Sequence, residues 1–184
     1  MGKPMKIYDN IQEIVKDDMV TTISKGSKVS IAAACFSMYA YKELKKQLDS
    51  VDEFRFIFTS PTFTKEKASK AKREFYIPRL SRETSLYGTE YEIKLRNEMT
   101  QKAIARECAD WIRKKATFKS NITGENMGGF MTVDAPAEQV AYMPIGGFTT
   151  VDIGCERGNN SYNMVNRMEA PFSIPVSYTH LRAH

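Results

Sequence analysis

Two strand-like runs separated by one helix-like stretch constrain this chain more than any other feature. The first, Lys28–Phe36 (KVSIAAACF), reads as a buried strand, and the second, Glu53–Ser60 (EFRFIFTS), alternates as a strand does. Between them Ser37 offers a helix N-cap, with Met38, Tyr41, Leu44 and Leu48 on one face and Lys42, Glu43, Lys45 and Lys46 on the other. The simplest fold for strand, helix, strand is a parallel pair with a right-handed crossover.

The rest of the chain extends that unit. Asp9 followed by Gln12 and Glu13 predicts a helix start, Ile11, Ile14, Val15, Met19, Val20 and Ile23 fall near helical spacing, and Gly26 predicts its stop. A basic helix is expected over 64–82, ending near Pro78, and another from Asn97 to about Ala116, where Ile104, Cys108, Trp111 and Ile112 form an apolar stripe. Beyond it GFMTV, QVAYMP and GFTTV are short β-prone runs between Gly, Pro and acidic turns, and RMEAPF suits an edge strand. This order predicts one α/β domain, a mixed sheet flanked by helices, spanning 1–174.

The last ten residues, Pro175–His184 (PVSYTHLRAH), resemble translated sequencing-adapter DNA and follow RMEAPFSI abruptly. They are expected to be a non-native tail, unpacked and dispensable. Both histidines, His180 and His184, lie in it. Residues 1–174 therefore hold no imidazole, which excludes a Ser-His-Asp triad, a Cys-His dyad, His-ligated zinc and phosphohistidine chemistry. The three cysteines, Cys35, Cys108 and Cys155, are far apart and form no C-x-x-C pair, so neither a disulfide framework nor a zinc knuckle is expected. No apolar run reaches the roughly 18 residues of a membrane span, and MGKPMKIYDN lacks the apolar core of a signal peptide, so the expected location is the cytoplasm.

Charge points to a partner. Residues 1–119 carry 24 Lys and Arg against 16 Asp and Glu, while 120–184 carry 3 against 6. Within Lys65–Arg82 seven basic residues, Lys65, Lys67, Lys70, Lys72, Arg73, Arg79 and Arg82, face two acidic ones, with Phe75 and Tyr76 interleaved. A solvated helix face is the bland account of this segment. As a functional feature it suits a nucleic-acid backbone, through counterion release and stacking.

Phosphate-binding motifs are missing: GGF at 128–130 and 146–148 and GCERGNN at 154–160 match neither the P-loop nor the dinucleotide fingerprint. CERGNNSYN, from Cys155 to Asn163, reads as a surface hairpin or a ligand loop. Asp134 and Asp152 each end a β-prone run, and a metal-dependent nuclease would have to use this pair. MGGFMTVD, Met127–Asp134, has the spacing of the phosphodiesterase signature His-x-Lys-x4-Asp without the His or the Lys.

The run SKVSIAAACFSMYAYKELKKQL, the strand FRFIFTSPTF, a long charged helix and the late YMPIGGFTTVDIG together resemble the phospholipase D-like domain at the N-terminus of bacterial superfamily II DEAD/DEAH-box helicases, often carried on mobile elements. The resemblance covers roughly residues 5–172 and lies in overall pattern more than in invariant residues. It implies a phospholipase D-like mixed sheet. Active members use a His nucleophile, a Lys and an Asn on the phosphate, and a second His as acid. Those positions fall on Met127 for His, Gly129 for Lys and Asp134 for Asp, with Pro144, Ile145 and Gly147 in place of Gly, Ser and Asn. The resemblance thus implies a degenerate site without catalytic or metal-binding residues, in a nucleic-acid-binding or positioning domain. ATP and magnesium would belong only to a motor beyond these residues. A homodimer or protein-interaction module is the other binding role considered.

Overall fold

The first half of the chain alternates strand and helix and the second half runs as strands. In the computed structural model, which describes residues 5–59, 101–157, 163–169 and 181–183, the order is β1 (Lys6–Tyr8), α1 (Val15–Thr22), β2 (Lys28–Ala33), α2 (Met38–Glu43), α3 (Lys45–Ser50), β3 (Glu53–Phe58), α4 (Gln101–Lys115), β4 (Ala116–Asn121), β5 (Phe130–Asp134), β6 (Gln139–Met143), β7 (Val165–Glu169) and β8 (Leu181–Ala183). They form one mixed α/β sheet in the order β1-β7-β6-β5-β2-β3-β4-β8. No helix among the described residues is long and apolar enough to cross a membrane.

β2 and β3 pair in parallel from Lys28 opposite Glu53 to Ala33 opposite Phe58, and β4 continues the parallel set beside β3. The strand–helix–strand reading therefore holds. On its other side β2 pairs antiparallel with β5, and β6, β7 and β1 follow antiparallel.

Several local expectations are corrected. Asp9 does not start α1: its carboxylate accepts the backbone N–H groups of Ile11, Gln12 and Glu13, closing a separate turn. Asn10, at φ 54, reverses the chain in the left-handed region and its Oδ1 accepts the Val15 N–H at 2.9 Å, so the helix begins there. Ser37 does cap α2, accepting the Tyr39 N–H at 3.2 Å. Leu44 then interrupts the helix, separating α2 from α3. β4 has no sequence signal because it begins one residue after α4 with no turn between them. GFTTV is not a strand; only Phe148 makes a bridge, to Phe36, and a turn follows. β7 is not an edge, since β1 lies outside it. The backbone of Leu181–Ala183, expected to lie unpacked, pairs with β4 through Asn121, Ser120 and Lys119. The predicted helix over 64–82 lies outside the described residues.

The four helices among the described residues contribute to one core against one face of the sheet, where Val29, Ile31, Phe54, Phe56, Met131, Val133 and Tyr142 meet Met19, Leu44, Leu48, Cys108 and Ile112. Trp111 sits between Tyr41 and Phe54, ring centroids 5.0 and 4.8 Å away, and donates Nε1–H to the Leu48 carbonyl at 3.0 Å. The stripe read for α4 is thus its buried face.

At the β1 side a charged cluster fastens α1 to the sheet. Asp18 accepts from Tyr8 (2.8 Å), Tyr142 (2.6 Å) and Arg167 Nε (2.7 Å), while the remaining guanidinium nitrogens of Arg167 reach Glu138 and Glu169. Burial alone would raise the Asp18 carboxyl, but the hydrogen bonds of Tyr142, Tyr8 and Arg167 hold it below the ordinary carboxylate range. A carboxyl depressed in the folded state adds stability above its unfolded pKa of about 3.9, which is lost as pH falls through its folded value. Urea melts at pH 7 and pH 3 should therefore show an acid loss that Asp18→Asn reduces. Arg167→Met should cost about 3 kcal/mol at pH 7, because it leaves the half-buried Asp18 carboxylate without its cation.

Candidate functional site

In sheets with parallel strands, ligand crevices open at the carboxyl ends of the strands where the connections change direction. Here that point is the end of β2, between its parallel neighbour β3 and its antiparallel neighbour β5. Met127, Gly129 and Gly147 all gather at this edge, because β5 starts opposite Ala32 and the β6–β7 connection returns over the same end.

The crevice is filled by backbone. Beyond β2, Ala34 donates its N–H to the Gly146 carbonyl at 2.9 Å, Phe148 to Cys35 at 2.8 Å and Ser37 to Phe148 at 2.9 Å. Ile145 in turn donates to the Gly129 carbonyl at 3.0 Å. Residues 145–148 thus lie as an extra extended segment between the ends of β2 and β5. A Cβ on Gly129 would stand 1.6 Å from the Ile145 carbonyl oxygen, so glycine is required here for close approach. The position matched to the signature's lysine cannot take any side chain without moving this segment.

Gly147 is enclosed as well. A Cβ there would lie 2.7 Å from Cys35 Sγ and 2.9 Å from Asp152 Oδ2. Asp152 accepts the N–H and hydroxyl of Thr149, and burial raises its carboxyl against these bonds and that of the Gly147 N–H. It anchors the turn after Phe148. Asn10 fastens the same turn from below, donating Nδ2–H to the carbonyls of Asn163 (2.8 Å) and Asp152 (3.4 Å). Gly154, at φ +84, leaves room for it, since a Cβ would meet Asn10 Oδ1 at 2.5 Å. The meeting of Cys35, Asp152 and Gly147 carried no sequence signal, because three separate segments supply it. The Asn10 contact was marked only by Gly154, which read as an ordinary turn glycine.

The remaining candidates are dispersed. Met127 packs with Phe130 against Ala32 and Ile57 on the other face of the sheet. Pro144 is exposed and Ile145 buried. Asp134 is exposed at the opposite end of β5, opposite Lys28 and hydrogen-bonded by Gln139, roughly 16 Å along the strand from Gly129. Asp134 and Asp152 therefore cannot share a metal ion. Among the described residues no three His, Cys, Asp or Glu side chains converge as metal ligands. Burial pushes the Cys108 and Cys155 thiols up to about 12, which suits inert thiols. The seven basic residues from Lys65 to Arg82 lie outside the described residues. No family model matches this chain, and no curated protein matches it.

Adjacent glycines give a direct check of the filled crevice. Gly129→Ala should destabilise the protein by about 3 kcal/mol, since backbone must move to admit the methyl group. Gly128→Ala, which meets no atom within 4 Å, should change stability by less than about 0.5 kcal/mol. Urea denaturation of the two variants against the parent measures both.

Proposed function

We propose that this chain is a non-catalytic nucleic-acid-binding or positioning domain, of the phospholipase D-like kind found at the N-terminus of bacterial superfamily II helicases. The observation that carries the proposal is the closed crevice: residues 145–148 occupy the place where the fold opens a ligand site, and Gly129 abuts Ile145 where a catalytic ammonium would stand. Without histidine in residues 1–174, and without a carboxylate pair at that end of the sheet among the described residues, the domain acts by shape and charge. The surplus of Lys and Arg in residues 1–119 supports a polyanionic partner. On α4, Arg113 and Lys114 add exposed cations to that half of the chain. Any ATP-driven step, with its magnesium, belongs to a motor outside these residues.

The test is a salt titration of DNA and RNA binding by fluorescence anisotropy. Binding should weaken linearly in log K against log salt. Substituting Lys65, Lys67, Lys70, Lys72 and Arg73 with Gln should reduce the magnitude of that slope by roughly 0.7 to 0.9 for each phosphate contact removed, without changing base preference. A labelled DNA diester should remain intact throughout. An unchanged affinity and slope would remove the basic segment from the interface, and cleavage lost on Asp152→Asn would overturn the non-catalytic reading.

A further inference from the structure

The strand order sorts the charges of this chain in space. β3 and β4 lie on one side of β2, beneath α2, α3 and α4, and β5, β6, β7 and β1 lie on the other, where Asp18 fastens α1. Among the described residues the first side, 24–59 and 103–121, carries 11 Lys and Arg against 6 Asp and Glu. The second side, 5–23, 122–157 and 163–169, carries 4 against 10. The imbalance along the sequence thus becomes a division across the molecule, positive toward β4 and negative toward β1. A field of this shape draws a polyanion to one side and turns the other away from it.

On the positive side the helices present the cations. Lys45 of α3 meets Glu107 of α4 at 3.4 Å, and Trp111 and Lys115 donate to the carbonyls of Leu48, Asp49 and Val51, so α3 and α4 lie side by side. Because Ile104, Cys108, Trp111 and Ile112 face the core, Arg106, Arg113 and Lys114 fall on the outer side of α4. Lys46 is exposed beside them and Lys42 is half-exposed. Among the described residues Lys42, Lys46, Arg106 and Lys114 pair with no carboxylate, whereas Lys45 and Arg113 do. Arg106 and Lys114 stand about 12 Å apart along the helix axis, a distance over which a duplex presents several phosphates. The aromatic residues of these helices, Tyr39, Tyr41 and Trp111, are buried. Their outer surface therefore offers charge without a ring on which a base could stack. That suits the outside of a duplex, where phosphates face solvent, better than an unpaired strand.

We propose that the outer surface of α2, α3 and α4 binds the phosphate backbone of double-stranded nucleic acid, with the α1 side of the sheet turned away from it. This rests on the nucleic-acid reading above and deepens it, by placing contacts outside Lys65–Arg82 and selecting the duplex. The probe is a fluorescein-labelled DNA duplex of about 20 base pairs, compared with one of its strands, by anisotropy between about 50 and 200 mM salt. Substituting Lys42, Lys46, Arg106 and Lys114 with Gln keeps good helix formers at all four positions. It should weaken duplex binding roughly tenfold or more at about 100 mM salt and lower the magnitude of the salt slope by about 0.9 for each contact removed. Lys6→Glu with Arg157→Glu changes net charge by the same amount at exposed positions on the negative side. Salt screens charges beyond about 10 Å, so this variant should bind the duplex nearly as the parent does. Equal losses in the two variants would reduce the effect to net charge and overturn the proposal. A duplex slope lowered only by the Lys65–Arg73 substitutions would overturn it too, while leaving the nucleic-acid reading in place. No binding of either DNA by the unaltered protein would remove both. A single strand held more tightly than the duplex, and released by the same four substitutions, would overturn the choice of duplex. Binding to vesicles of equal phosphatidylserine and phosphatidylcholine in place of DNA, or a low-salt dimer that the four substitutions dissolve, would give the surface to another occupant and likewise overturn the proposal.

Discussion

Everything in this fold follows from the two different neighbours of β2. Its parallel bond ladder to β3 demands a crossover, which is why α2 and α3 lie between the strands. Its antiparallel ladder to β5 lets β6 follow by a short turn and β7 after a longer connection, growing the sheet in the other direction. A strand paired on both sides and packed beneath helices has no exposed backbone, and the six residues of β2 are buried but for Lys28. The point where its neighbours change direction is also where a ligand crevice would be expected. In this protein the chain uses that space for itself, so the same geometry that elsewhere creates a site here completes the packing.

The parts of this architecture that were legible in the sequence are those encoded locally. The β2–β3 unit was visible because an apolar run, a Ser37 cap and an alternating run occur in order, and α4 because Ile104, Cys108, Trp111 and Ile112 repeat at helical spacing. β4 was hidden because it follows α4 without a turn residue. GFTTV misled because β-prone residues occupy a turn held by Asp152, a long-range contact that propensity does not report. The start of α1 was displaced because Asp9 satisfies three N–H groups of a turn that precedes the helix, which sequence spacing does not distinguish from a cap.

The candidate site was less legible still. Met127, Gly129, Asp134 and Gly147 were read together only from the spacing of a known motif, and the reason for the glycines was not visible. Gly129 is dictated by the approach of Ile145 from sixteen residues later, and Gly147 by Cys35 and Asp152. Asp134, which matched the motif best, lies at the other end of β5, beside the start of β2. A motif's spacing places residues along one strand, whereas a site requires that several strands deliver them to the same end.

The inward placement of Arg167 bears on how β7 finds its place. A shift of one residue would turn Met168 toward the core and Arg167 toward water, while moving Val165 out of the core. The opposite arrangement persists because Asp18, itself held by the hydroxyls of Tyr8 and Tyr142, meets Arg167 only in the observed alignment. The charged cluster thus acts as an address: it tells an otherwise ambiguous strand which of two pairings is correct, and it leaves Met168 outside as the consequence of that choice.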